Sequence, residues 1–190
     1  MAVEIEAKMR VASHDAIRAK LLSVNAQETG EFFETNIFFD TDDRSLLAAD
    51  QGLRLRINHS VTENVSQFVL TFKGPRLHGK LKSREENELH VTSADDAEKF
   101  LASLGFTKVL SFEKKRQKWK LEGCTIELDL LPYLGTFVEI EGPSEAKIMK
   151  VRETLGLGDL PIIKTSYIAM LMAWLQEHNS SDKFVRFETH

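Results

Sequence analysis

Apolar and polar residues alternate along most of this chain. "VEIEAKMRV" (3–11) opens the pattern, with Val3, Ile5, Ala7, Met9 and Val11 apolar and Glu4, Glu6, Lys8 and Arg10 charged. Strict alternation predicts a β-strand with one apolar and one charged face. "FFETNIFFD" (32–40) reads as a second strand, and "LRLRI" (53–57) alternates again. In "FVLTFKG" (68–74), Val69, Thr71 and Lys73 share one face and Phe68, Leu70 and Phe72 the other. "LKSREENELHV" (81–91) carries Lys82, Arg84, Glu86 and Glu88 at period two. "SFEKKRQKWKL" and "CTIELDLL" pair around a turn at Glu122–Gly123, and "TFVEIEG" (136–142) is the last clear strand. Four segments switch to helical spacing: one after Ser13 as N-cap, one over 93–106 between a Ser93 cap and a Gly105 stop, one opened by Pro143, and "TSYIAMLMAWLQEH". "TDDRSLLAADQG" is a turn-rich connection with slight helix potential; "NHSVTENVS" and "PRLHGK" read as loops, the latter mobile. "NSSDKFVRFETH" shows no pattern. The expected organisation is one domain over 1–178 and a loose tail over 179–190.

Strands follow strands through short turns, which favours antiparallel pairing. On seven of them one face is charged, which by itself fits half-buried sheets facing water. The pairs Glu4/Glu6 and Glu139/Glu141 favour another arrangement. They place like charges about 7 Å apart along a strand, whereas exposed surfaces intersperse the two signs. Segregated acids and bases fit the wall of a polar cavity. The predicted fold is α+β: a closed eight-stranded antiparallel barrel with a charged interior, its apolar outer faces covered by helices. A barrel of that size holds one small ligand.

Composition is compatible. The 190 residues carry 42% hydrophobic and 28% charged side chains and a net charge of −4, which argues against a general nucleic-acid binder. Cys124 is the only cysteine, so neither an internal disulfide nor a Cys-rich metal site can form. No signal-like segment and no apolar run of membrane length is present, so a cytoplasmic protein without membrane or nucleic-acid partners is expected. The exterior is compatible with a homodimer without requiring one.

The inward charges suggest a ligand. Arg54, Arg56, Lys73, Arg84, Lys114 and Arg116 offer cations, and guanidinium forks match phosphate oxygens. Glu4, Glu6, Glu139, Glu141 and Asp129 cannot touch phosphate directly, but they suit Mg²⁺ or Mn²⁺, which prefer oxygen ligands. Cations and metal facing a polyanion are the components of phosphoryl transfer.

"EIEAK" (4–8) resembles the E-x-E-x-K signature of the CYTH domain, within the triphosphate tunnel metalloenzymes. The further motifs follow in order: "LRLR" (53–56), "TFKG" (71–74), "REENE" (84–88), "EKKRQKW" (113–119), "ELDLLPYLGTFVEIEG" (127–142) and "KTSYIAML" (164–171). The resemblance implies an eight-stranded tunnel binding triphosphate and divalent metal, as in tripolyphosphatases, thiamine triphosphatases and class IV adenylate cyclases. It implies Glu4, Glu6, Glu139 and Glu141 as metal ligands and Arg54, Arg56, Lys73, Arg84, Lys114 and Arg116 as the phosphate grip. Glu86, Glu88 and Asp129 would assist a second metal or orient the cations. Lys8 would sit beside the attacking water or leaving oxygen, and Lys164 would close the tunnel. At "REENE" the inward acid is Glu86 or Glu85; at "EKKR" alternation turns Lys115 outward.

Other features carry less. The six histidines show no zinc spacing, Trp119 and Trp174 read as outer packing, and "KGPRLHGK" is a hairpin or a lid but lacks P-loop spacing. Cys124 has no nearby histidine in sequence to make it a nucleophile. The expected activity is metal-dependent hydrolysis of tripolyphosphate or a small organic triphosphate such as thiamine triphosphate. The alternatives are an adenylate cyclase releasing pyrophosphate from ATP, and a non-catalytic polyphosphate-binding module.

Overall fold

A computed structural model describes residues 2–188 of the chain. The strands are β1 (Ala2–Arg10), β2 (Gln27–Asp40), β3 (Gly52–Ser60), β4 (Val65–Arg76), β5 (Lys82–Val91), β6 (Thr107–Leu121), β7 (Cys124–Leu131), β8 (Gly135–Glu141) and β9 (Phe184–Val185). The helices are α1 (Asp15–Ser23), α2 (Ser45–Ala48), α3 (Ala94–Ser103), α4 (Glu145–Thr154) and α5 (Tyr167–Glu177). Eight strands run in the order β2-β3-β4-β5-β1-β8-β7-β6, all neighbours antiparallel, and a β2–β6 ladder closes the barrel. The β6–β7 hairpin turns at Glu122 (φ 50°) and Gly123 (φ 81°), the left-handed pair that a two-residue hairpin with matching twist requires.

The charged faces point inward. Glu4, Glu6, Lys8, Arg54, Arg56, Lys73, Lys82, Arg84, Glu86, Lys114, Arg116, Glu139 and Glu141 all line one internal cavity. The apolar faces pack outward under helices. Ala7, Met9, Ile126, Leu128, Val138 and Ile140 meet Ile17 and Leu21 of α1 and Ile148 and Val151 of α4. Leu53, Leu55, Ile57 and Leu70 meet Ala97 and Leu101 of α3. Phe100, on the same helix, is 63% exposed and takes no part in that contact. Trp119 lies in the outer layer, as its register requires.

α5 departs from the expected outer position. Tyr167, Leu171 and Leu175 form one stripe at i, i+4 and i+8, and it packs on Phe112, Leu131 and Phe137. Those three share parity with the inward Lys114, Asp129 and Glu139, so α5 stoppers one end of the lumen. Its N-cap is Ser166, whose Oγ accepts from Ala169 N. Other bounds move modestly. α1 starts at Asp15 with His14 at the cap position, and Ser13 only closes a local turn onto Asp15 N. α4 starts at Glu145 behind Ser144 as its N-cap, so Pro143 precedes the helix instead of opening its first turn. β2 begins at Gln27 rather than Phe32, and Asn58–Ser60 belong to β3.

Part of the expected tail is ordered. Phe184 and Val185 pair in parallel with Ser111 and Phe112, on the edge of β6 that β7, whose pairing starts at Lys115, leaves uncovered. Val185 is buried against α5, and Phe187 N donates to Glu113. Met1, Thr189 and His190 lie outside the described residues. The barrel's outer packing makes a direct test: Leu55→Ala, at a fully buried contact under α3, should lower unfolding free energy by about 2–5 kcal/mol. Denaturant titration measures this. An unchanged midpoint would contradict the outer core described.

Candidate active site

The lumen holds a cavity of about 690 Å³. Beneath α5 its floor is an ion-paired nest around Arg116. Arg116 Nε and Nη2 donate to both carboxylate oxygens of Asp129 at 2.6 Å, and Nη2 also reaches Glu139 at 2.8 Å. Its Nη1 lies 2.5 Å from Glu127. Tyr167 OH donates to Asp129 at 2.9 Å, and Lys114 Nζ lies 3.4 Å from the same carboxylate. On the other side Lys114 meets Glu34 at 3.2 Å, as does Arg56. Glu34 is completely buried. Burial opposes its charge, but Arg56, Lys114 and Arg116 outweigh burial and hold the carboxyl well below its ordinary range. Lys8 lies between Glu139, at 3.4 Å, and the Tyr167 ring face, at 4.0 Å.

Away from this nest pairing thins out. Glu6 is matched by Lys82 at 2.6 Å, and Lys82 and Lys8 keep it ionised against burial. Glu4 is different. Burial and a hydrogen bond with Glu86 raise its carboxyl, while Glu86, which also takes Lys73, stays low. Burial, then Arg54, drops Lys73 to about 8. Glu141 has no ion-pair partner among the described residues. Burial, then the charges of Glu4, Glu127 and Glu6, push it up to about 7. The donors show a matching deficit: Arg54 Nε and Arg84 Nε are buried, line the cavity and have no protein partner. Buried donors of this kind require a ligand or water.

The residues fit a divalent cation in two places. Glu127, Asp129 and Glu139 present carboxylate oxygens within 4.8 Å of one another, a buried acidic cluster that could hold a metal. The Arg116 guanidinium already lies against all three. Glu4 and Glu141 instead repel each other; Glu141 has no ion-pair partner among the described residues and Glu4 only Lys73 at 4.0 Å, which makes this pair the stronger fit.

The structure gathers the expected basic residues Arg54, Arg56, Lys73, Arg84, Lys114, Arg116 and Lys164 around one cavity. Glu86, not Glu85, faces inward at "REENE". Glu88 is at the rim, its side chain 52% exposed, 3.9 Å from Arg54. Asp129 is engaged by Arg116, Lys114 and Tyr167. Lys164 Nζ donates to Gly79 O at 2.9 Å, tying the segment before α5 to the β4–β5 connection. Sequence reasoning did not single out Glu34, Asn36, Lys118 or Tyr167. Asn36 Oδ1 orients Arg56 by accepting from its Nε at 2.9 Å. The inward parity of "FETNIF" was the available signal for Glu34 and Asn36.

Closure, alternating faces and an internally paired lumen define a charged-tunnel β-barrel. The chain belongs to the CYTH domain family, whose model matches residues 2–156. It is similar to the adenylate cyclase CyaB of Aeromonas hydrophila, 28% identical over 138 residues, covering 72% of this chain and 67% of the relative. Its fold matches the PH1819 protein of Pyrococcus horikoshii OT3 with a TM-score of 0.77 and 28% identity, over 90% of this chain and 99% of that one. HpAC1 of Hippeastrum, an adenylyl cyclase by name described as having a dominant triphosphatase activity, shares the fold at TM-score 0.69 and 20% identity, over 90% and 96% of the two chains. No helix among the described residues is long and apolar enough to cross a membrane.

Two predictions follow from the electrostatics. Glu34→Ala strands Lys114 and Arg56 beside an emptied site and should destabilise by about 3–5 kcal/mol, as breaking a buried pair does; chemical denaturation tests this, and a loss below about 1 kcal/mol would show the nest is dispensable. Glu141 gives a pH effect of defined sign. Its folded value of about 7 lies above the ordinary 4.5, so the folded state binds more protons between those pH values. Stability from this group therefore falls as pH rises from about 4.5 to 7. In chelator, Glu141→Gln should raise the melting temperature at pH 8 and add little at pH 4.5. An equal shift at both pH values would remove the carboxylate's charge as the cause.

Proposed function

We propose that this protein is a divalent-metal-dependent triphosphatase acting in its barrel lumen. The observation that carries the reading is a double deficit inside one cavity: the buried Nε donors of Arg54 and Arg84 have no protein acceptor, and Glu141, without an ion-pair partner among the described residues, is repelled by Glu4, whose only ion-pair contact is Lys73 at 4.0 Å. A triphosphate satisfies the first and a divalent ion the second, and neither alone satisfies both.

Arg54, Arg56, Lys73 and Arg84 grip the phosphates. Arg56, with Nε fixed by Asn36, keeps its remaining guanidinium donors for the ligand. Glu4 and Glu141, with Glu6, Glu86 and Glu139 beside them, hold Mg²⁺ or Mn²⁺; the bound ion would supply charge neutralisation for the phosphoryl group. Lys8 stands close to Glu139, positioned to stabilise charge on an entering or leaving oxygen. Arg116, Lys114 and Asp129 hold the walls in place rather than exchange partners with substrate.

The fold carries a dominant triphosphatase activity in HpAC1, which is consistent with this reading. A second reading, ATP cyclisation with pyrophosphate release, is favoured by the name of the Aeromonas hydrophila relative. A purely binding module would gain nothing from a repelling acid pair. Product analysis with ATP, thiamine triphosphate and tripolyphosphate, with Mg²⁺ and Mn²⁺ supplied separately, distinguishes them. Orthophosphate supports the triphosphatase, cyclic AMP the cyclase, and tight binding without turnover the module.

Two substitutions test the assignments. Glu4→Gln with Glu6→Gln should lower metal-dependent turnover by at least about 100-fold, because the lost charges weaken metal binding, with folding in chelator preserved. Near-normal turnover would make "EIEAK" only a charged strand face. Arg56→Lys keeps charge but loses the planar fork; it should raise KM and slow turnover with the melting temperature nearly unchanged, whereas unchanged kinetics would place Arg56 outside the site.

A further inference from the structure

Lys8 is a buried ammonium held by few polar partners. It is 1% exposed and lines the lumen. Its one carboxylate neighbour among the described residues is Glu139, at 3.4 Å. A charge-assisted hydrogen bond is shorter, about 2.7–2.9 Å. Glu139 is also shared, since its Oε2 accepts from Arg116 at 2.8 Å. Lys114, the other lysine of the floor, is held differently. It has two carboxylates, Glu34 at 3.2 Å and Asp129 at 3.4 Å.

One short segment supplies what Lys8 lacks. β5 pairs with β1 only as far as Glu6, and beyond that point Ile163 N donates to Lys8 O at 2.8 Å. Tyr167, four residues on, sets its ring 4.0 Å from Lys8 Nζ. Lys164, between the two, ties the segment to the β4–β5 connection through Gly79 O. Backbone and ammonium of the same lysine are thus held from one stretch of chain. The local sequence places the ring there. Ser166 caps α5, so Tyr167 is its first helical residue. Helix side chains tilt toward the helix N-terminus, and the ring therefore projects past the helix end into the lumen. Its OH donates to Asp129 at 2.9 Å, and Phe137 meets it edge-on with 5.2 Å between centroids.

A π face suits this lysine better than a second carboxylate would. The ring quadrupole attracts the charge of the ammonium. A carboxylate would instead take up N–H donors, and an ammonium has three. With the ring as partner, donors stay available to an oxygen of the ligand. The phenol donates its proton toward an anion, Asp129, which enriches the ring in electron density and strengthens its hold on a cation. Arg116 already shares Glu139 but does not share the ring.

Resting on the triphosphatase reading, we propose that Tyr167 is a positioning residue for Lys8. Its ring holds the Lys8 ammonium beside the oxygen on which charge develops, and it acts on the reaction only through Lys8. A cation already fixed in place needs no reordering as that charge appears, which is how preorganised electrostatics lower a barrier. α5 then contributes to the chemistry as well as closing the lumen.

The test uses the full chain with Mg²⁺ or Mn²⁺ and measures orthophosphate release from ATP, thiamine triphosphate and tripolyphosphate. The probe turned over fastest serves for the variants. Tyr167→Phe loses the hydroxyl and keeps the face, so kcat should fall by no more than about threefold, although the melting temperature drops. Tyr167→Leu loses the face, so kcat should fall at least about tenfold while KM changes less than about threefold, the pattern of an interaction made in the transition state. Phenylalanine fluorinated at three ring positions, installed at 167, keeps the shape of the Tyr167→Phe side chain but weakens its π face. It should melt with Tyr167→Phe yet turn over at least about threefold more slowly, a split that packing alone does not produce. NMR gives a readout without turnover. The ring should shield the ε-methylene protons of Lys8, a signal identified by its loss in Lys8→Met, kept in Tyr167→Phe and lost in Tyr167→Leu. If Tyr167→Leu does not fold, the fluorinated variant and the NMR signal of the unaltered chain decide. Equal turnover of the fluorinated and Tyr167→Phe proteins, equal losses in Tyr167→Phe and Tyr167→Leu, or an unshielded Lys8 overturns the positioning role and leaves the triphosphatase standing. No orthophosphate from any of the three probes overturns the triphosphatase reading and this proposal together.

Discussion

The structure depends on neutralising Arg116 and the carboxylates around it inside a closed barrel. Burying a charge costs several kcal/mol even after relaxation, and attraction repays this only with good geometry. Here the geometry is multiple. One guanidinium serves Asp129 with two donors and also touches Glu127 and Glu139, while Tyr167 and Lys114 complete Asp129. The nest links β6, β7 and β8 to α5. A stopper helix, an inward tyrosine and a buried ion cluster thus form one unit, and the position of α5 follows from chemistry in the lumen as much as from its apolar stripe.

Much of this was legible because alternation is a geometric statement. A strand that places Glu4, Glu6 and Lys8 on one face must present all three to the same space. The segregation of acids from bases separated a lumen from a solvated surface. The position of α5 was hidden for the same reason. Phe112, Leu131 and Phe137 sit at inward parity but are apolar, so a period-two reading assigns apolar residues to the outer core and cannot see a lumen that turns apolar at one end. Glu34 was hidden because its stretch, "FFETNIFFD", is dominated by phenylalanine and carries only Asp40, six residues on, as a second charge. β9 was invisible because two residues have no period, and their partner edge exists only where β7 stops short.

The bound positions of the helices follow simpler rules. Ser93, Ser144 and Ser166 each cap a helix through their hydroxyl oxygen. Ser13 does not, although its residue type is equally suitable; it lies one residue before the cap position, held by His14, and its oxygen accepts from Asp15 N instead. Residue type proposes a cap, and the path of the chain from the preceding strand decides which residue takes it.

The lumen is therefore two regions with different electrostatic character. Around Arg116 every charge has a partner. Toward Glu4 and Glu141 the acids compete for protons, Lys73 is weakened as a cation, and Arg54 and Arg84 hold buried donors without acceptors. Anion binding there would strengthen Lys73 as a cation and occupy the free arginine donors, but it would add negative charge beside Glu4 and Glu141. Cation binding would relieve Glu4 and Glu141 and, through them, change the field at Lys73, 4.0 Å from Glu4. Each ligand places opposite charge next to the other's site, so their binding free energies are coupled with favourable sign. Linkage makes that coupling reciprocal: whatever factor the cation adds to affinity for the polyanion, the polyanion adds to affinity for the cation. A lumen paired throughout would lack this property, because each ligand would first have to break an internal ion pair. On the triphosphatase reading, the incomplete pairing at one end lets a stable barrel also serve as a binding site.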